Sequence, residues 1–242
     1  MTATGTKRRY GQSSALMTLL RAIASGDEAK ASRLLDASPD LARQAVEAGA
    51  TRQVSIEYYF TEIAHHVYAG DTALHIAAAA HALDITRNLL ARGAGVRARN
   101  RRGAEPLHYA VDGSPGSPAW NSAAQEAVVE GLIGAGADPN AADKSGVSPL
   151  HRAARTRCAG AVRALLANGA DPRRRNGSGS TPLHLAVQNT GRGGSGSSAA
   201  RDQQREIIVL LLKRGARPTD RNTAGRSVTQ SVAGDWILEL LR

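Results

Sequence analysis

The sequence predicts an all-α solenoid of stacked helix-turn-helix units with hairpin loops, about six units including degenerate caps. A segment of eight residues occurs in four similar copies in the 242-residue chain: "DTALHIAA" at 71–78, "AEPLHYAV" at 104–111, "VSPLHRAA" at 147–154 and "STPLHLAV" at 180–187. The histidines of these copies are spaced 33, 43 and 33 residues apart, which indicates an underlying period of 33. Repeats of this length are typical of solenoids, in which each unit buries its apolar face only against its neighbours.

A second apolar signature follows each of these segments and contains a glycine near its end. In the first signature, Pro149 and Pro182 occupy a first-turn position where the missing N–H costs nothing, and Ser148 and Thr181 can cap the helix. Each unit is therefore predicted to contain a first helix, a turn, a second helix, a glycine stop and a hairpin. The copies of the second signature are "NLLARGAGV" at 88–96, "GLIGAGADP" at 131–139, "ALLANGADP" at 164–172 and "LLLKRGARP" at 210–218.

These two signatures together resemble the ankyrin repeat, whose units open a first helix with T-P-L-H-x-A and end a second one with L-L-x-x-G-A-D-x-N. The resemblance covers residues 70–242 and, less completely, 13–36. It implies that the histidine ring helps to tie neighbouring repeats together through hydrogen bonds. It also implies that partners bind at the hairpin tips and at the exposed face of the first helices, which line a concave groove.

The predicted domain organisation follows from these matches and from the places where the period breaks. Both Gly/Ser-rich insertions fall between the two helices of their repeat, where they leave the stack intact. The predicted segments are a disordered basic N-terminus at 1–12, a degenerate N-terminal repeat at 13–36, an aromatic-containing insertion at 37–69, four ankyrin repeats at 70–222 with Gly/Ser-rich insertions at 112–122 and 189–202, and a C-terminal capping repeat at 223–242.

The insertion at 37–69 concentrates aromatic residues. It holds Tyr58, Tyr59, Phe60 and Tyr68, which are half of the aromatic residues in the chain. Two interpretations stay open at this point. The aromatic side chains either pack as a plug over the first repeats, or they form a recognition surface, since tyrosine supplies a large contact area at a small cost in entropy.

Composition excludes several classes of protein. The chain is 42% hydrophobic but only 3% aromatic, so its core must consist mostly of small aliphatic residues, which suits closely packed helices. The single Cys158 excludes an internal disulfide framework and fits a reducing compartment. The apolar run "ALMTLL", which follows Lys7, Arg8 and Arg9, is cut short by Arg21, so neither a signal peptide nor a membrane span is predicted. We expect a cytoplasmic monomer.

No pattern of residues indicates catalysis, a metal site or a cofactor. The adjacent His65 and His66 lack further ligands at metal-binding spacing. Cys158 aligns with the turn between two helices, where Arg155 and Arg157 would activate a thiol only in a concave site, so it is interpreted as an incidental thiol. The prediction is a protein that is not an enzyme and has no catalytic residues, no metal and no cofactor.

Basic residues occupy many of the positions that the ankyrin resemblance assigns to partner binding. The net charge is +10, and only four of the 31 basic residues are lysines. Arginines in such places either steer an acidic partner to the surface or merely reflect an arginine-rich composition, and both interpretations stay open. This basic stripe comprises Arg97, Arg99, Arg101, Arg102, Lys144, Arg155, Arg173, Arg174, Arg175 and Arg221.

The function predicted from these observations is a non-enzymatic protein–protein interaction scaffold. Its partner is predicted to be another protein, bound by an acidic segment through the concave face. The alternative is a nucleic-acid-binding protein that uses the same basic stripe. Against the alternative, the sequence shows no stacking aromatics interleaved with the arginines and no groove-reading helix motif.

Overall fold

The computed structural model describes residues 9–115, 117, 120–189, 197–232 and 234–242. Over these ranges the chain is built mainly of α-helices arranged in consecutive pairs. In chain order the helices are α1 (Arg9–Ala24), α2 (Glu28–Ala37), α3 (Ala73–Ala79), α4 (Leu83–Ala91), α5 (Pro106–Ala110), α6 (Ser122–Gly134), α7 (Pro149–Thr156), α8 (Ala159–Ala167), α9 (Pro182–Ala186), α10 (Ser198–Lys213) and α11 (Asp235–Leu240).

The helix pairs stack into two parallel rows, which confirms the predicted all-α repeat solenoid. Helices α1, α3, α5, α7 and α9 pack on one another in order and form the row of first helices. Helices α2, α4, α6, α8 and α10 form the row of second helices. The core lies between the rows and consists mostly of Ala, Leu, Val and Ile. Among the described residues, no helix combines the length and the apolar character that a membrane span requires.

The first helix of each of the four full repeats begins at a cap that uses the repeated histidine. Nδ1 of each histidine accepts the backbone N–H of the cap residue at 3.1 or 3.2 Å, and Nε2 lies within hydrogen-bonding distance of a carbonyl oxygen in the next repeat. The implied role of the histidine in tying repeats together is thereby confirmed. The cap residues are Thr72, Glu105, Ser148 and Thr181, the histidines are His75, His108, His151 and His184, and the carbonyls belong to Ala104, Val147, Ser180 and Arg226.

Neighbouring hairpins are joined by backbone hydrogen bonds. In each case an N–H near the tip of one hairpin donates to a carbonyl at the tip of the preceding hairpin. These bonds run from Lys144 to Arg102 (2.9 Å), from Gly177 to Ser145 (2.8 Å) and from Thr223 to Ser178 (3.0 Å). Gly103 permits the close approach: its φ is +78°, and a Cβ there would lie 2.9 Å from the backbone nitrogen of Lys144. The tips therefore form one continuous edge of the stack.

The insertion at 37–69 is ordered by short elements. It contains 3-10 helices at Pro39–Ala42, Ile56–Tyr58 and Thr61–Ile63 and a two-stranded antiparallel ribbon of β1 (Tyr59–Phe60) and β2 (His65–His66). In the ribbon Tyr59 pairs with His66, and Phe60 pairs with His65. Because successive side chains of a strand point to opposite faces, the pair Phe60 and His65 shares one face and the pair Tyr59 and His66 shares the other.

The structure shifts two predicted boundaries. Helix α1 starts at Arg9, so residues 9–12 are helical instead of disordered, while residues 1–8 of the predicted N-terminus lie outside the described residues. Helix α10 starts at Ser198, and its cap Ser197 accepts the N–H of Ala200, so the last part of the predicted 189–202 insertion belongs to a helix. Residues 190–196 of that insertion lie outside the described residues, as do 116, 118 and 119 of the other one.

Candidate protein-binding surface

The insertion at 37–69 lies against the row of first helices at the first two full repeats. His65 stacks on Tyr109 of α5, with ring centroids 4.6 Å apart and an interplanar angle of 17°. Its Nε2 also lies 3.2 Å from a carboxylate oxygen of Asp112. Ile76 and Tyr109, which follow the histidine in these two repeats, are 0% and 1% exposed. These positions of α3 and α5 are therefore buried within the molecule, and partner binding at the exposed face of the first helices stays a prediction for the other repeats.

A buried polar network fixes Tyr109 beneath the insertion. Its hydroxyl donates to Asp71 at 3.0 Å and accepts from the side-chain amide of Asn100, also at 3.0 Å. Asn100 donates a second hydrogen bond to Asp71 at 2.9 Å. Burial and the neighbouring Asp71 raise the pKa of Tyr109 far above its usual value. The network joins the first hairpin to helix α5, and all three of its members are scaffold residues.

Asp112 links the insertion to the third full repeat. Its carboxylate lies 3.1 Å from Arg152 of α7 as well as 3.2 Å from His65. Burial acts to raise the pKa of Asp112, but the charge of Arg152 and the hydrogen bond from His65 outweigh it, so the pKa lies below its usual value. Asp112 therefore stays ionised and holds two different elements against one another.

The four aromatic residues proposed as partner contacts fall into two groups. Phe60 is buried, and the guanidinium of Arg21 lies 5.3 Å from its ring centroid. Tyr58 is half-buried against the core. For Phe60 the recognition interpretation is wrong and the packing interpretation is right, because the ribbon turns this face toward the stack. Tyr59 and Tyr68 keep accessible surface on the opposite side.

Four arginines of the basic stripe lie within ion-pair distance of carboxylates of the scaffold, namely Arg97, Arg99, Arg173 and Arg175. Arg99 lies 3.0 Å from Glu105, the cap residue of α5, whose side chain is 1% exposed, and Arg97 lies 3.8 Å from the same carboxylate. Arg173 donates to both oxygens of Asp220, at 2.9 and 3.2 Å, and this lowers the pKa of Asp220. The sequence interpretation missed both carboxylates. For Glu105, its place at the cap position of its repeat was the one feature of the sequence that could have indicated a role in the scaffold. For Asp220 the sequence offered no such feature.

Arg175 and Arg221 also stabilise the hairpins through backbone carbonyls. Arg175 lies 4.0 Å from Asp220 and donates to the carbonyls of Gly179 and Arg221, while Arg221 donates to Gly225 at 2.6 Å. Arg97, Arg99, Arg173 and Arg175 are therefore neutralised by carboxylates of the scaffold. Arg221 donates to uncharged oxygens, so in the described part of the chain no carboxylate pairs with its charge.

The remaining cations of the stripe have no ion pair with a carboxylate in the described part of the chain. Arg101 and Arg102 both approach the ring of Tyr68, at 5.3 and 5.1 Å from its centroid. Lys144 and Arg174 lie on the next two hairpins, and no described residue forms a side-chain hydrogen bond with either of them. We call five residues without a carboxylate partner the hairpin cations: Arg101, Arg102, Lys144, Arg174 and Arg221. Arg155 lies at the other end of α7 and lines a separate cleft.

That cleft, of about 590 Å³, opens between the insertion and the ends of α3 and α7. Trp120 forms part of its wall and meets His81 edge to face, with centroids 5.8 Å apart. Nearby Cys158 is buried, and burial raises the pKa of its thiol to about 11, so the thiolate is disfavoured. Within the described ranges, no three His, Cys, Asp or Glu side chains gather in a way that would hold a metal ion.

Two protein-family models match the chain. One, described as "Ankyrin repeats (many copies)", matches residues 62–110. The other, described as "Ankyrin repeats (3 copies)", matches residues 120–222. The two ranges together span more than half of the sequence, and they contain helices α3 to α10 with all of the hairpin cations.

Proposed function

The chain belongs to the ankyrin-repeat family, whose members generally act as protein–protein interaction modules, and we propose that it is a non-enzymatic module that binds an acidic segment of a partner protein. The proposal places the partner on the edge formed by the hairpin tips. Every residue of α3 and α5 is buried, which supports binding at the tips rather than at the first helices of these two repeats.

One observation carries the proposal: the hairpin cations lie on consecutive tips that backbone hydrogen bonds hold side by side. A cation that forms no ion pair with a carboxylate leaves a positive potential that attracts an acidic chain. Arginine also offers several N–H donors in a planar fork that matches a carboxylate. An extended acidic segment along the tips could therefore meet a cation on each of four hairpins.

The positive potential of the hairpin cations would also attract the phosphates of a nucleic acid. The test must therefore distinguish an acidic peptide from a nucleic acid. Binding to single-stranded nucleic acid usually adds stacking of bases on free aromatic faces. In the hairpin edge the adjacent aromatic ring is that of Tyr68, which already has Arg101 and Arg102 close to it. This arrangement favours carboxylates as the ligands of the edge.

The test compares a fluorescent oligo-glutamate peptide with an oligo-deoxythymidine of equal charge, using fluorescence anisotropy at low and high salt. We expect the peptide to bind more tightly than the oligonucleotide. Replacing three hairpin cations, as Arg102→Gln, Lys144→Gln and Arg174→Gln together, should weaken peptide binding by about tenfold to a hundredfold.

A matched control removes the same charge from the row of second helices, as Lys30→Gln, Arg87→Gln and Lys213→Gln together. These three residues lie on α2, α4 and α10 and are exposed. The control variant should keep most of the affinity. Equal losses in both triple variants would show a response to net charge alone, and tighter binding of the oligonucleotide would favour nucleic acid as the partner.

A further inference from the structure

We infer that the outer face of the insertion extends the hairpin edge into an anchor site for an apolar side chain of the partner. The recognised segment would then be acidic along most of its length and apolar at one end. This inference rests on the proposed function, because the acidic part is assigned to the hairpin cations. It adds a second kind of contact, contributed by a part of the chain that is not a repeat.

The anchor site begins with an exposed apolar group. Among the described residues, the large hydrophobic side chains classed as exposed are Val54, Ile56 and Tyr59, which are 39%, 88% and 39% exposed. All three fall within six consecutive residues of the insertion. The hydroxyl of Thr51 accepts the N–H groups of Gln53 and Val54, at 3.3 and 3.2 Å, which fixes the loop that presents them. Apolar groups clustered and held in this way are typical of a contact surface.

A continuous row of rings leads from this group to the hairpin edge. Tyr59 and His66 pair across the ribbon, so both lie on its outer face, and their ring centroids are 4.8 Å apart. Two residues further along, Tyr68 continues the same side, with its centroid 6.2 Å from that of His66. The exposed apolar group and the cations are therefore parts of one surface.

The row of rings ends beside Arg101 and Arg102, and Tyr68 fixes the orientation of Arg102. Arg102 donates to the hydroxyl of Tyr68 at 2.9 Å, and its guanidinium lies over the same ring. A guanidinium held against a tyrosine keeps its other N–H donors for a carboxylate while losing little further entropy on binding. The carbonyl of Arg102 accepts the N–H of Lys144, which places the next cation alongside.

The side chains of this surface favour a peptide over a nucleic acid as the ligand. The rings next to the arginines are already in contact with guanidinium or imidazole groups, so they do not offer free faces for several bases. The exposed Ile56 is instead suited to an aliphatic or aromatic side chain, which gains from leaving water. The exposed apolar side chain, the row of rings and the cations follow one another along the surface. An extended segment with one apolar end would contact them in the same order.

The test uses three fluorescent peptides: oligo-glutamate, the same peptide with leucines at either end in turn, and a leucine-ended peptide in which serines replace the glutamates. Fluorescence anisotropy with the full chain gives each affinity. We expect one of the two leucine-ended acidic peptides to bind roughly fivefold to tenfold more tightly than oligo-glutamate. The serine peptide should bind far more weakly than both.

Two substitutions at Ile56 complete the test. Ile56→Ser should remove the advantage of the leucine end and leave the affinity for oligo-glutamate unchanged, because the side chain is exposed and neither residue carries a charge. Ile56→Leu should keep the advantage. If the leucine end gives no advantage, or keeps it in Ile56→Ser, the anchor site is wrong while the proposed function stands. If oligo-glutamate itself fails to bind, both are wrong.

Discussion

The imidazole of His151 joins two repeats: its Nδ1 accepts the backbone N–H of Ser148 at 3.2 Å, and its Nε2 lies 2.9 Å from the carbonyl oxygen of Ser180. Because Nδ1 accepts a hydrogen bond, the proton must sit on Nε2, which then donates to the carbonyl. The ring is therefore neutral and satisfied on both sides. The same geometry in the other full repeats makes this ring the recurring polar connection of the stack.

Replacing this ring tests its contribution to stability. His151→Ala should lower the free energy of unfolding by about 3 kcal/mol, because a buried N–H and a buried carbonyl lose their partners and a cavity remains. His151→Gln should cost less, since Gln230 already shows that a glutamine oxygen can accept the N–H of the cap residue, here Ser227 at 2.9 Å. Urea denaturation of the two variants measures the difference. Equal losses would contradict a hydrogen-bonding role.

Stability should also fall in mild acid. Burial lowers the pKa of all four repeated histidines, and that of His108 to about 4. The unfolded chain, with a histidine pKa of about 6.5, binds protons more readily than the folded one, so the stabilisation is complete above that pH and is lost as the pH falls toward 4. For His108 alone the loss approaches about 3 kcal/mol at pH near 4.

Urea denaturation at pH of about 7.5 and about 5.5 checks this prediction, because most carboxylates stay ionised over that range. His108 should account for about 1 kcal/mol of the difference. The His108→Gln variant, although less stable, should show a smaller change with pH. A wild-type chain that is equally stable at both values would contradict the neutral assignment.

The two faces of the ribbon should respond differently to truncation. Phe60→Ala should destabilise the chain by about 2 to 4 kcal/mol, because the ring is buried under Arg21. Tyr59→Ala should cost less than about 0.5 kcal/mol, because its face is turned outward. Thermal denaturation of both variants measures the contrast. A large loss in Tyr59→Ala would mean that the outer face is packed and unavailable to a partner.

Substitutions at two adjacent arginines of one hairpin should have different effects, one on stability and the other on peptide binding. Arg173 bonds to Asp220 with two N–H groups, so Arg173→Gln should lower the melting temperature of the last repeats. Arg174 has no carboxylate partner in the described part of the chain, so Arg174→Gln should leave the melting temperature unchanged and weaken the binding of oligo-glutamate. Differential scanning fluorimetry and anisotropy give the two readouts. The reverse pattern would remove Arg174 from the binding surface.

The scaffold could be predicted from the sequence because its signals are local. The proline and the cap residue of a helix such as α7 lie within a few residues of His151, and the glycine stop is equally local. The left-handed φ of Gly169, +83°, is one such expectation that is confirmed. Repetition then extends each local rule to several units, and stacking follows because no unit buries its apolar face alone.

The binding surface could be predicted only in part because it depends on contacts between distant residues. The sequence places Arg173 on a hairpin, but its use depends on Asp220, which only the stack brings within 2.9 Å. Likewise, the aromatic content of the insertion does not determine the strand register. The sequence therefore could not predict that Phe60 is buried while Tyr59 is exposed. The sequence also separates Tyr68 from Arg102 by more than thirty residues, although the two side chains share a hydrogen bond.

The location of the acidic partner is tested most directly by mapping oligo-glutamate on the protein with amide chemical shifts. We expect amide shifts at the hairpin tips that grow with peptide concentration, centred on Arg102, Lys144 and Arg174, while the amides of α4 and α8 stay unchanged. The triple Gln variant of these residues should lose the pattern while keeping its spectrum. Shifts confined to the second helices, or a pattern at the tips that survives in the triple variant, would contradict the central claim.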